Sequence, residues 1–330
     1  MTSQLKNKLQ ALAQKYEVAS FVNADPSQFL RWYVADAPTT GASPSQPQLP
    51  LGACAALTSQ PLPLSPSATT ADVECAAFIA AMLAFGNRKQ FIPKIWEILT
   101  TADTRSGTIT TWLTAGAPDF PRGPAKFYRF YSYDDMHCLF AELARILQQA
   151  PTLGNYFQKI YEGEVSPSLQ PAAPSSATLS SGVPESTADC TTPTNPCTKP
   201  AATPQRPASP KSHPALPLDQ LVSQAFPTAA IVPKGKNSAN KRIHMFLRWM
   251  VRTNSPVDLG IWSWYPQSEL LIPLDVHVME EGINLGLLPP NAKASRKTAV
   301  ELSEKLSQVF PGDPTRGDFA LFGLGVNEEK

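Results

Sequence analysis

The sequence predicts an all-α fold, one helical domain of two lobes, on three grounds. Apolar residues recur every three or four positions along residues 3–18, 134–162 and 298–309, a spacing that gathers them on one face of a helix. A further segment, Val73 to Ala84, is apolar nearly all round, as a helix at the centre of a fold must be. Two Pro-rich stretches interrupt the chain; without them about 250 residues remain, a length suited to a single helical domain.

In chain order, Leu5, Leu9 and Leu12 mark the first helix, and Asp25-Pro26 opens a second through Phe29, Leu30, Trp32 and Tyr33. Residues 38–70 carry seven prolines and no charged residue. Such a stretch cannot bury enough apolar surface to offset its ordering entropy, so it is predicted to be a disordered insertion. Asp72 is expected to cap the apolar helix and Gly86 to stop it. Asn87-Arg88-Lys89-Gln90 follows, then a helix through Phe91, Ile95, Trp96 and Leu99. Residues 106–115 and 134–162 continue the helical pattern. Between them, Lys126-Phe127-Tyr128-Arg129-Phe130-Tyr131 interleaves cations with aromatics. That is one style of nucleic-acid surface, but a packed connector with Arg outward is the favoured reading. Residues 163–217 form a second disordered insertion, with twelve prolines from Pro167 to Pro217. Order returns at Leu218, with helices over 239–252, after Asp275, over 298–309 and after Asp313-Pro314.

Net charge is +1, so any nucleic-acid surface must come from local segregation of charge. That segregation is strongest between Asp219 and Asp258, where Lys234, Lys236, Lys241, Arg242, Arg248 and Arg252 occur without an acid. Cations grouped on one face would neutralise phosphates; the plain alternative is a solvated basic helix. The five cysteines are scattered without a CxxC pair, and the four histidines share no ligand spacing, so neither a disulfide framework nor a metal centre is expected. No apolar run has membrane-spanning length. The expectation is a soluble intracellular monomer, cytoplasmic or nuclear, without a cofactor. Its insertions are open to protein partners.

Asp275 is the residue around which the remaining argument turns. It follows Leu270-Leu271-Ile272-Pro273-Leu274, where an Asp at a helix N-terminus is stabilised as the anion. That fits a plain cap, and it fits a carboxylate kept ionised at a cleft edge. The run Pro273-Leu274-Asp275-Val276-His277-Val278, with Leu285-Gly286-Leu287 beyond it, resembles a segment of the helix–hairpin–helix DNA glycosylase superfamily. The similarity is to a poorly characterised bacterial-type branch. Further similar blocks are Phe21–Pro26, Asp72–Glu74 leading into Phe78–Gly86, Phe127–Phe130, Lys241–Arg252 and Asp318–Gly325.

The resemblance implies a two-lobed glycosylase fold with a cleft between lobes and DNA as partner. Asp275 would then be the acid that stabilises an oxocarbenium-like transition state as a base is cut from its sugar. Bifunctional members add a Lys that attacks the sugar carbon; Lys241 stands near that place, and an ungapped reading puts Ser238 there. The phosphate-binding hairpin would be Val232-Pro233-Lys234-Gly235-Lys236-Asn237-Ser238, with lysines at two usual glycine positions. Arg242 and Arg248 on the following helix, and Arg88, Lys89 and Gln90 after the buried helix, complete the implied DNA contacts. His277 is expected to pack or hydrogen-bond at its helix start; Trp249, Trp262 and Trp264 either line a base pocket or, in the favoured reading of lone aromatics, belong to the core. No Cys follows Cys197, so the iron–sulfur cluster of some superfamily members is absent. Glu280-Glu281 stands where an Arg is common, which disfavours DNA. Set against a base-excision glycosylase are a non-catalytic nucleic-acid binder that kept the fold and a helical scaffold for protein partners.

Overall fold

A computed structural model describes residues 1–18, 25–34, 64–164 and 216–327. Most of both predicted insertions, and the block Phe21–Ala24, lie outside the described residues. Residues 64–70, assigned to the first insertion by composition, are ordered: Leu64 forms an antiparallel bridge with Val34, and Ser65 N–H donates to Tyr33 O.

The described chain is all-α apart from one hairpin. It runs α1 (Ser3–Tyr16), a 3-10 turn (Pro26–Arg31), α2 (Thr70–Leu83), α3 (Arg88–Ser106), α4 (Ile109–Thr114), β1 (Lys126–Tyr128), β2 (Tyr131–Ser132), α5 (Tyr133–Gln149) and α6 (Leu153–Tyr161). After residue 216 come α7 (Leu218–Ala225), α8 (Lys241–Val251), a 3-10 turn (Gln267–Glu269), α9 (Val276–Asn284), α10 (Arg296–Ser307) and α11 (Arg316–Asn327). β1 pairs antiparallel with β2 through a two-residue tip, Arg129-Phe130.

Local chemistry sets most boundaries. The predicted 134–162 helix divides in two because Pro151 cannot continue a helix and Thr152 caps the next one, accepting from Asn155 N–H. α2 starts before Asp72: Thr69 is the cap, and Asp72 reaches back to its N–H in a capping box. Asp275 caps α9 as expected, its carboxylate accepting from Val278 N–H at 2.9 Å. α8 begins at Lys241 because Asn240 is left-handed, at φ 43°, and breaks the helical path.

Among the described residues two large apolar clusters, and a small third of Tyr16, Val257 and Phe319, divide the interior. The larger gathers the 3-10 turn at Pro26, α2 to α8 and the hairpin around α2, whose residues from Ala71 to Leu83 are all buried. The smaller joins α1 to α9, α10 and α11 through Leu9, Ala13, Leu274, Val278, Leu302 and Leu321. Trp249 and Trp262 are buried in the larger cluster, with Trp264 packed against it. No helix among the described residues is long and apolar enough to cross a membrane.

Candidate functional site

Where α8, α9 and α11 meet, a pocket is lined by Asp25, Lys241, Met245, Arg248, Pro273, Asp275, Asp318, Phe319 and Phe322. Each charged group reaches it for a local reason. Lys241, Met245 and Arg248 follow the spacing that puts them on one face of α8. Pro273 and Leu274 lead the chain in extended form to Asp275 at the start of α9. Asp318, Phe319 and Phe322 face them from α11, and Asp25 caps the 3-10 turn through Ser27 N–H at 3.1 Å.

The central contact is an ion pair between Lys241 Nζ and Asp275 Oδ2 at 2.9 Å. Both side chains are partly exposed, and the Asp275 carboxylate is shared between the helix amide and the ammonium. The pocket is partly open to solvent, with room for a few water molecules within it. Arg88 closes one side: its guanidinium is 3.8 Å from Asp25 and 5.3 Å from the centre of the Phe322 ring.

Behind the pocket lies a buried ionic layer. Arg248 pairs with Asp318 and, at 3.2 Å, with Asp258. Arg252 binds Asp258 at 3.0 Å, Asp313 at 2.8 Å and Glu17 at 2.5 Å, and Glu17 also takes Arg316 at 2.8 Å. Three guanidinium groups thus face four carboxylates, one acid in excess. Burial raises the Asp318 carboxyl to about 7, with Asp275 adding to the rise and Arg248 opposing it.

The structure brings together Asp275, Lys241, Arg248 and Arg88, which were singled out from sequence as catalytic or DNA-binding. It corrects the reading of residues 234–252 as one phosphate-facing surface. Arg248 and Arg252 are interior, because carboxylates distant in sequence come to meet them. Arg242 donates to Met82 O at 2.5 Å and lies 4.6 Å from the Phe85 ring centre. The Lys234 stem is exposed, but its ammonium folds back onto the carbonyls of Ser223 and Phe226, where burial lowers it to about 8.

Gly235 and Ser238 form a tight turn, with Ser238 N–H donating to Gly235 O at 3.2 Å, and Lys236 is exposed beside them. Lys89 and Gln90 are exposed in the first turn of α3. Glu281 is buried, which leaves Glu280 as the exposed member of that pair. His277 is exposed, its ring 6.4 Å from that of Phe322.

Asp318 and Asp25 went unassigned a role from the sequence. The available signals were Asp318 at the head of the closing family-like block and the Asp25-Pro26 start. Among the described residues no group of three His, Cys, Asp or Glu side chains is placed to hold a metal ion.

The family model described as "Protein of unknown function (DUF2400)" matches residues 62–202 and 215–327, and the chain belongs to that family. No curated protein and no solved structure matches the chain.

Proposed function

We propose that this DUF2400 family member binds DNA and cleaves the bond between a base and its sugar, with Asp275 and Lys241 as the reacting pair. The observation that carries the reading is their 2.9 Å contact at the edge of a small pocket. Asp275 is fixed by the α9 amide and so cannot swing away. A carboxylate held in place stabilises positive charge as it develops on the sugar, at little cost in reorganisation. The Lys241 ammonium gives one proton to the departing base, which leaves with the bonding pair, and the amine so freed adds its electron pair to the sugar carbon. A second proton passes from that nitrogen to the ring oxygen as the ring opens, leaving a protonated Schiff base.

The partly open pocket admits the edge of a sugar. Asp318, in the pocket wall, adds negative potential where cationic character would form once it is ionised. A cation-stabilising function fits that arrangement better than an anion site does.

A second reading has its own support: Lys234, Arg248 and Arg252 are occupied by internal partners, which removes them as phosphate contacts. The Lys241–Asp275 pair is then a cap and an ion pair in a non-catalytic nucleic-acid binder. Single-turnover incubation with duplexes carrying different damaged bases, with borohydride present, separates the readings. Base release abolished in Asp275→Asn, and a trapped adduct abolished in Lys241→Gln, are the expected results. Salt-sensitive binding without release from any duplex would replace the enzyme by the binder. Absence of both would leave a helical scaffold for protein partners.

A further inference from the structure

On the glycosylase reading, the pocket takes the reacting sugar and leaves open what holds the neighbouring bases of the strand. The hairpin between α4 and α5 offers an answer. Phe130, at its tip, is 64% exposed, the most exposed large apolar side chain among the described residues. It is not a loose side chain. Its ring lies 4.8 Å from that of Tyr131 and 5.7 Å from that of Phe85, which follows α2.

The tip is clamped from below. Tyr128 hydroxyl donates to Phe85 O, and Gly86 lets the hairpin approach, since a Cβ there would collide with the Arg129 guanidinium and the Tyr128 hydroxyl. Arg129 itself is left-handed, at φ 52°, a conformation that costs a non-glycine residue about 1 kcal/mol. The chain thus holds an aromatic ring outward in a fixed pose.

Charge says what the ring would meet. The end of α2, the hairpin and the start of α8 meet at Phe85. Arg242 and Arg129 lie 4.6 and 5.9 Å from the Phe85 ring centre. Lys89, Lys126 and Arg129 are exposed and form no ion pair with an acid among the described residues. Arg242 is the chain neighbour of Lys241, and Arg88, two residues past Gly86, lines up with Asp25 and Phe322 at the pocket.

We propose that the Arg129-Phe130 tip is a stacking platform for an unpaired base of a nucleic-acid strand, with the surrounding cations on the flanking phosphates. A flat apolar ring amid guanidinium and ammonium groups matches a base between two phosphates. An apolar protein surface would leave those cations desolvated without partners. The inference rests on the nucleic-acid reading of the pocket but not on its chemistry.

The test is anisotropy of a fluorescein-labelled single strand and of a duplex with one abasic site, titrated at several salt concentrations. Proteins are the full-length wild type, Phe130→Ala, Phe130→Trp and Lys126→Ala. Phe130→Ala is expected to weaken binding roughly ten-fold, as for one lost stack, with the salt dependence unchanged. Phe130→Trp should restore affinity and quench 2-aminopurine in the strand. Lys126→Ala should lower the salt slope instead. Equal affinity of Phe130→Ala and wild type would overturn the platform and leave the glycosylase reading standing. No salt-sensitive affinity in the wild type would overturn both.

Discussion

Glu74 on α2 is sealed in the interior and Asp318 on α11 is buried in the pocket wall; burial raises both carboxyls to about 7, and they are held in opposite ways. Glu74 is surrounded by neutral donors: Trp262 Nε1 at 2.8 Å and the Gly154 amide at 3.2 Å, at the start of α6. Asp72, two residues earlier, is likewise absorbed by the Thr69 and Thr110 amides and hydroxyls. Asp318 instead sits in a lattice of guanidinium groups and other acids with one carboxylate in excess. Neutral donors pin a segment in place and leave nothing over. The ionic layer leaves a group whose charge state depends on its neighbours, and that group borders the pocket. The difference separates a segment held by neutral hydrogen bonds from one held by charge.

The comparison breaks first at Arg252. Replacing it by Met strips three acids, Glu17, Asp258 and Asp313, of a partner in a buried setting. A loss of about 3–5 kcal/mol is expected, read as a fall in the urea midpoint. A loss within 1 kcal/mol would mean that the layer is hydrated and not a structural core.

The pH dependence comes next. In the unfolded chain Asp318 and Glu74 lose their protons near 4, whereas the folded chain keeps them to about 7. Between those values the folded state binds more protons, so stability falls as pH rises through the window and levels off above it. Each group contributes a few kcal/mol to that slope at most. Asp318→Asn should flatten its share and Glu74→Gln the remainder, measured by urea titration between pH 4 and 8. A slope untouched by Asp318→Asn would place that acid among the permanently charged ones.

The smallest effect is expected at Trp262→Phe. It removes one neutral donor from Glu74 and keeps most of the packing, a cost of roughly 1.5–3 kcal/mol that should not vary with salt. Strong salt dependence there would erase the distinction between the two regions.

Much of the fold was legible because it is written locally. The all-round apolar run of α2, the Leu spacing of α1 and the Asp275 cap need no knowledge of distant residues. The site was legible in half. Asp275 stands out by its place before a helix, but the partner of Lys241 lies in another segment, and no local pattern reveals a pairing. Charge misled for the same reason. Lys234 to Arg252 looked like a basic face because the acids that absorb Arg248 and Arg252 arrive from residues 17, 258, 313 and 318. The hairpin at 126–132 was read as a packed connector, which describes Phe127 and Tyr128 and leaves out exposed Phe130.

The docking of α1 against α11 has a consequence for how the molecule comes into being. Gln10 donates to Val309 O and Glu17 binds Arg316, contacts that join residues nearly a whole chain apart. During synthesis the larger apolar cluster can close while α11 is still unmade, whereas α1 must wait for its partner. Asp318, Phe319 and Phe322 arrive with that last helix. A nascent chain therefore carries a finished scaffold long before it carries a pocket, and the Lys241–Asp275 pair gains its far wall only when residues 316–327 have been added.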